Sequence, residues 1–307
     1  KPSLCDLAGV EAAIHSVRGD IRDGASLTAA MKVAAPQIVF HLAAQPLVQR
    51  SYVEPTLTFE TNVLGTVNVL EAVKHTPSVD VVVAVTTDKV YENREWVWAY
   101  RETDRLGGYD PYSSSKACSE LVVSTWRRSF FSDSRGAAIA SVRAGNVIGG
   151  GDWSENRIVP DCIKAFKKGC EVLIRNPNAT RPWQHVLEPL CGYLLLVERM
   201  AVDQNTYSTA WNFGPDLADV KPVSWIVERM VAKWGGGASW SLEGHSHPHE
   251  ASLLAVDATL ARSRLGWSPR LSLGEALART VRWYRQQADG RSARELVLGD
   301  IEYYQNK

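Results

Sequence analysis

The stretch Val79–Lys89, VDVVVAVTTDK, and the stretch Asp110–Arg128, DPYSSSKACSELVVSTWRR, decide how this chain folds. The first is a β-branched apolar run without polar alternation, which suits a strand buried on both faces of a sheet. It ends on four polar residues, Thr86-Thr87-Asp88-Lys89. The second opens on an Asp-Pro turn signal and continues with helical periodicity, so it reads as a helix over Tyr112–Arg128. A buried strand followed by a long helix is the unit of a parallel sheet covered by helices, and the flanking sequence repeats it. Gln37–Leu42 and Ala138–Arg143 are further strand candidates; Ser26–Ala34 and Thr58–Lys74 are further helices. The expected fold class is an open, doubly wound parallel α/β sheet.

After Arg143 the texture changes to a glycine cluster, GNVIGGGDW at Gly145–Trp153, and an Asn- and Pro-rich loop at Arg175–Arg181. Separated helices follow, at Ile158–Lys168, Val186–Met200, Val223–Trp234 and Leu273–Gln287, with one strand candidate at Ala210–Phe213. These shifts predict two domains, 1–150 with a returning segment near 185–213 and a smaller α/β domain over 151–307; doubly wound sheets bind dinucleotides, so the first is the expected dinucleotide-binding domain and the second mainly the substrate domain. Such a sheet ordinarily opens with a strand, a glycine-rich turn and a helix whose N-terminus receives a pyrophosphate. The glycine cluster follows the third strand and has no helix directly after it, so it does not read as that turn. The sequence therefore reads as a chain whose opening strand-helix-strand unit is missing.

Composition removes several function classes. The 307 residues carry 34 Lys+Arg against 34 Asp+Glu, so no overall basic field exists to hold nucleic acid or an anionic membrane. No apolar run approaches a membrane span and the first residues lack a signal-peptide layout, which reads as a cytoplasmic protein. The five cysteines are widely spaced with no C-x-x-C pair, against both a disulfide framework and a zinc knuckle. His245, His247, His249 and Glu250 invite a metal reading, but their spacing matches no zinc motif and Pro248 fixes extended backbone there, so no metal is expected.

The sharpest chemical signal is Y-x-x-x-K at Tyr112–Lys116. Four residues apart on a helix, phenol and ammonium share a face, and a nearby cation favours the ionised phenol. Thr87 lies at a strand's C-terminal end, where ligands of such sheets bind. A tyrosinate there suits proton removal from a sugar hydroxyl while a nicotinamide accepts hydride.

Thr86–Val122 as a whole resembles the extended short-chain dehydrogenase/reductase superfamily and, within it, the CDP-glucose 4,6-dehydratase family. RGDIRD (Arg18–Asp23), HLAAQPLV (His41–Val48), TNVLGT (Thr61–Thr66), RAGNVIGGGDW (Arg143–Trp153), RIVPD (Arg157–Asp161), RPWQHVLEPLCGYL (Arg181–Leu194) and LGW-x-P (Leu265–Pro269) agree with it. The resemblance implies a Rossmann-like lyase using NAD: C4 oxidation of a nucleotide-linked hexose, loss of water across C5 and C6, and hydride return to C6. Tyr112, Lys116 and Thr87 would serve the C4 hydroxyl, and Asp88 would be the acid at the C6 hydroxyl. Lys89 stands where the dTDP-glucose branch has a glutamate, and its role as base or as cation beside the enolate stays open.

For the cofactor, the resemblance implies Asp20 and Ile21 at the adenine edge, Leu42, Ala43, Ala44, Gln45 and Thr86 along the wall, Asn62 as a brace, and Tyr112 and Lys116 at the nicotinamide end. For the substrate it implies Asn146, Arg157 and Arg181 at the diphosphate, with His249 and Glu250 nearby. It also implies a homodimer packed through Thr58–Lys74 and Tyr112–Arg128. Another nucleotide-sugar dehydratase or epimerase of the same superfamily, or an inactive fragment that acts only by binding, are the alternatives the sequence leaves open.

Overall fold

The computed structural model describes residues 2–132, 136–244 and 251–307. Its main sheet has four parallel strands in spatial order β1 (Ile38–His41), β2 (Val81–Val85), β3 (Ala138–Ala144) and β4 (Ala210–Phe213). In register, Ile38 faces Val81, Val81 faces Ala138, and Ser141 faces Ala210. All four strand candidates form, and Ala210–Phe213 does return to the first sheet. Among the described residues before β1 there is no strand.

The unalternating apolar run in β2 is explained by its two covered faces. Val81 and Val83, with Ala138, Ala140 and Val142, bury against helix α5 (Leu187–Val202), β4 and the segment 258–267. Val82, Ala84 and Ile139 point the other way, against α1 (Gly24–Ala34), α2 (Gly65–Lys74) and α3 (Pro111–Ser129). Successive strand residues alternate faces, so a strand between two helical layers must be apolar throughout. Asp110 caps α3, its carboxylate accepting from the Ser113 amide at 2.9 Å and the Ser113 hydroxyl at 2.6 Å, and Pro111 occupies the first helical position. This fixes where Tyr112 enters the helix.

A second apolar core gathers α4 (Ile158–Lys167), α6 (Val223–Trp234), α7 (Leu273–Ala288) and α8 (Ala293–Gln305), with Cys162, Met230, Trp283 and Tyr284 at its centre. The glycine cluster belongs to this core. A Cβ on Gly150 would lie 2.1 Å from Trp283 Cγ, so only glycine lets the backbone pass the indole. The Tyr284 hydroxyl then donates to Asp152 O at 2.6 Å.

One expected helix is broken. Thr58–Lys74 is a short helix Pro55–Phe59, a π-turn Glu60–Leu64 and then α2. The wider turn carries Asn62 inward: its Oδ1 accepts from Gln45 N at 2.8 Å, and its Nδ2 donates to Gln45 O at 3.1 Å and Ser115 Oγ at 2.8 Å. The missed elements include α8 and several two- and three-residue strands. The strands are too short to show a period.

Candidate active site

The chain leaves β2 through a one-turn 3-10 helix at Asp88–Val90. The Thr86 hydroxyl donates to Glu120 Oε1, and the Thr86 amide donates to Val142 O at 2.8 Å. The Thr87 hydroxyl donates to Asp88 Oδ1 at 3.0 Å. Asp88 Oδ2 is buried with no hydrogen-bond partner among the described residues. Burial raises the Asp88 pKa, and the nearby charges of Lys89 and Arg181 and the Thr87 hydrogen bond only partly offset that rise. The result is a carboxyl group biased towards its protonated form.

The Tyr112 phenol is buried, which pushes it up to about 12. A hydrogen bond with Thr87 and the charge of Arg157 pull it back down, while Asp88 and Asp110 push it further up. Two expected catalytic residues, Thr87 and Asp88, therefore bear directly on the phenol, as does Arg157 of the three expected at the diphosphate, while Arg181 bears on Asp88.

Lys116 is buried on α3. Its Nζ donates to Val85 O at 2.8 Å, the last residue of β2, so the ammonium ties the helix to the strand end. The groups acting on the phenol are Thr87, Arg157 and the two acids. Four-residue spacing sets the face of a helix, but a five-bond side chain then selects the nearest acceptor. Burial lowers Lys116 to about 8, partly offset by Glu120.

Arg181 is buried and donates to Thr180 O at 2.9 Å and to Ala251 O. Arg157 is half-buried beside Asp152, 3.6 Å away, and the half-buried Asn146 accepts from Gln184 N at 3.1 Å. Lys89 is half-buried next to Asp88. Asp20 is exposed and held by Arg22, whose hydrogen bonds lower its carboxyl to about 2. Ile21 O accepts from Asn68 Nδ2 at 2.9 Å. Leu42 and Ala43 are exposed past the end of β1, Ala44 is half-buried and Gln45 is buried in the Asn62 clamp. His249 and Glu250 lie outside the described residues, as do His245 and His247.

Two polar clusters went unread. Glu120, eight residues after Tyr112 and on the same helix face, forms a buried two-point pair with Arg143, at 2.9 and 2.8 Å. The i, i+4, i+8 spacing of Tyr112, Lys116 and Glu120 was available as its signal. His41 is buried with Nε2 at 3.0 Å from Thr66 Oγ1, and burial lowers it to about 4. His185 is likewise lowered to about 4 by burial.

These two histidines set an acid limit. Both stay neutral in the fold, so their contribution is complete above the unfolded value near 6.5 and is lost as pH falls towards 4. In urea unfolding, the stability difference between the unsubstituted chain and His41→Gln is expected to change by about 2 kcal/mol between pH 7.5 and 5. An unchanged slope in His41→Gln would remove His41 from this account.

With this geometry in hand, comparison places the chain among known proteins. The sequence profile of the GDP-mannose 4,6 dehydratase family matches residues 5–280. The CDP-glucose 4,6-dehydratase of Salmonella typhimurium is 50% identical over 288 residues, 92% of this chain and 80% of that protein. A dTDP-glucose 4,6-dehydratase of Streptomyces antibioticus is 32% identical, over 89% of this chain and 77% of its own. Among solved structures, a Streptomyces venezuelae dTDP-glucose 4,6-dehydratase crystallised with NAD superposes with a TM-score of 0.75 at 25% identity, covering 88% of this chain and 79% of that one. The Thermotoga maritima UDP-glucose 4-epimerase shares the fold, at 23% identity and a TM-score of 0.76, over 89% and 84%. The chain belongs to the GDP-mannose 4,6 dehydratase family of extended, Rossmann-like short-chain dehydrogenase/reductases.

Proposed function

We propose that this chain is an NAD-dependent CDP-glucose 4,6-dehydratase. The observation that carries the reaction is the buried Asp88 carboxyl, one oxygen unpartnered, beside Thr87 and the Tyr112 phenol. An epimerase has no use for an acid at C6. The 50% identity to a CDP-glucose 4,6-dehydratase supports the nucleotide.

The residues expected at the cofactor suit a dinucleotide. Leu42 and Ala43 leave an open apolar shelf, and the ionised Asp20 offers acceptors to an adenine amino group. NAD, when bound, supplies the electron-pair acceptor for C4 and the donor that later reduces C6. The protein does the proton work. Tyr112 takes the C4 hydroxyl proton, helped by Thr87 and by the positive charge of Arg157. The 4-ketone acidifies the C5 proton, and the protonated Asp88 carboxyl donates to the departing C6 hydroxyl. Lys89, next to Asp88, serves C5 as base or as cation beside the enolate. Arg181 and Arg157 hold the diphosphate, with Asn146 beside them; a guanidinium fork matches phosphate oxygens. Lys116 fixes the spacing between the tyrosine helix and the strand through Val85.

In this reading residues 1–150 with 185–213 carry the cofactor and the rest of 151–307 mainly the nucleotide sugar. No helix among the described residues is long and apolar enough to cross a membrane. All five cysteines are free, which suits the reducing cytoplasm. Leu64 and Leu121, 56% and 57% exposed near the Pro55–Leu64 segment and on α3, favour a homodimer through these helices. Sedimentation giving monomer alone at micromolar concentration would argue against that.

The substrate is tested by mass spectrometry after incubation with NAD and, separately, CDP-glucose, dTDP-glucose and GDP-mannose. CDP-glucose alone is expected to lose the mass of one water. Loss from a different sugar instead would overturn the nucleotide assignment.

A further inference from the structure

We infer that Arg143 and Glu120 form a positioning hub that holds the catalytic turn, the tyrosine helix and both roots of the 91–102 arm in one geometry; this rests on the dehydratase reading. The pair lies behind the reacting groups, 3% exposed on both sides. One carboxylate and one guanidinium reach four separate pieces of chain. Glu120 stands one turn after Lys116 on α3, and its Oε1 accepts from the hydroxyl of Thr86, the residue before Thr87. Its Oε2 accepts from Ser141 Oγ on β3 at 2.7 Å.

Arg143 spends both outer edges of its fork. Nε and Nη2 grip Glu120, while Nη1 donates to Tyr91 Oη at 2.8 Å and Glu102 O at 3.2 Å. Tyr91 follows Asp88-Lys89 by two residues and opens the arm; Glu102 closes it. Tyr91 also donates to Asn212 Oδ1 on β4 at 2.6 Å, and the Asn212 amide donates to Glu102 Oε1 at 2.8 Å. A stack of rings rises from this base: Tyr91 on Tyr100 at 5.1 Å, and Tyr100 on Trp96 at 5.5 Å. The hub thus connects Asp88 and Tyr112 to the segment that stands between them in sequence.

Burial pushes Glu120 up, but Arg143 and the Thr86 and Ser141 hydroxyls outweigh it, so the carboxylate stays charged. Glu120 in turn sustains the charge of Lys116, which helps keep His41 on β1 neutral, while Arg143 and Arg127 face Glu120. A buried pair of this kind adds little net stability relative to apolar residues of similar size. Its role in the site is geometric: it fixes where the acid stands relative to the base.

The test uses Glu120→Leu with Arg143→Met, which removes both charges together so that neither is stranded, and Tyr91→Phe, which keeps the ring and deletes one link. In the double variant kcat for CDP-glucose is expected to fall at least about tenfold with KM within about threefold, because misplacement of reacting groups acts on kcat. Tyr91→Phe is expected to lower kcat about threefold or more, with KM within twofold. Hydrogen exchange of amides 86–91 is expected to accelerate about tenfold or more in the double variant, or in Tyr91→Phe if the double variant does not fold, while the paired amides of β2 hold. Unaltered kcat in either variant, or losses of kcat and KM that merely follow a lowered Tm, would overturn the hub. Absent turnover in the unsubstituted chain would count against the dehydratase reading; unchanged exchange at 86–91 would overturn the hub whatever the turnover.

Discussion

Tyr112→Phe is expected to lower kcat for CDP-glucose by about a thousandfold while leaving KM within about threefold, the pattern of a lost transition-state proton transfer. No neighbour can take over. Asp88 is biased towards the protonated form by burial, the Thr87 hydroxyl is a poor base, and Lys116 is committed to Val85 O at 2.8 Å. The phenol itself stands at about 12 in the protein alone, mainly through burial. A dinucleotide with a cationic ring, when bound, would add positive charge at the phenol and favour its ionised form. Steady-state kinetics across pH 6 to 9 checks the prediction. A loss of less than about tenfold would place the base elsewhere.

Asp88→Asn separates two steps of the reaction. The asparagine keeps the shape and can still receive the Thr87 hydrogen bond, but it cannot deliver a proton to C6. The expected product is the 4-keto sugar that has retained its water, two hydrogens lighter than the substrate, with dehydrated product formed about a hundredfold more slowly or less. The same substitution should stabilise the fold at neutral pH. The folded Asp88 pKa is raised above its unfolded value, so the stability it contributes is complete below about 4 and is lost as pH rises through the folded value. Asn carries no such penalty, and its advantage should vanish in acid. Rapid-quench mass spectrometry reads the first effect and urea unfolding at pH 4 and 7.5 the second. An Asp88→Asn protein that dehydrates at the unsubstituted rate would exclude Asp88 as the acid.

The sheet was legible because its evidence is local. VVVAV is apolar at every position, and only a strand covered on both faces demands that. The Asp110-Pro111 start of α3 is equally local, since cap and first turn lie within three residues. Tyr112 and Thr87 stand at the ends of recognisable elements, which is what singles them out in the sequence; Asp88 was singled out by the family resemblance. The break at Asn62 was not, because its cause is a backbone 17 residues away at Gln45. The hub was less legible still. Arg143 reads as the polar end of a strand, and nothing near it in sequence announces Glu120, Tyr91 or Asn212, the last of which bonds Tyr91 across 121 residues. Lys116 shows what spacing leaves out: it gives the helix face, while the bond to the Val85 carbonyl depends on a strand 31 residues away in sequence.

The central claim is that one hexose is oxidised at C4 and reduced at C6 within a single turnover, with Tyr112 and Asp88 handling the protons between. CDP-glucose carrying deuterium at C4, incubated with this protein and NAD in ordinary water, tests it most directly. The account requires the deuterium to reappear on the C6 methyl group of a product that has lost one water. Deuterium found still at C4, or a dehydrated product whose methyl group carries none, would contradict it.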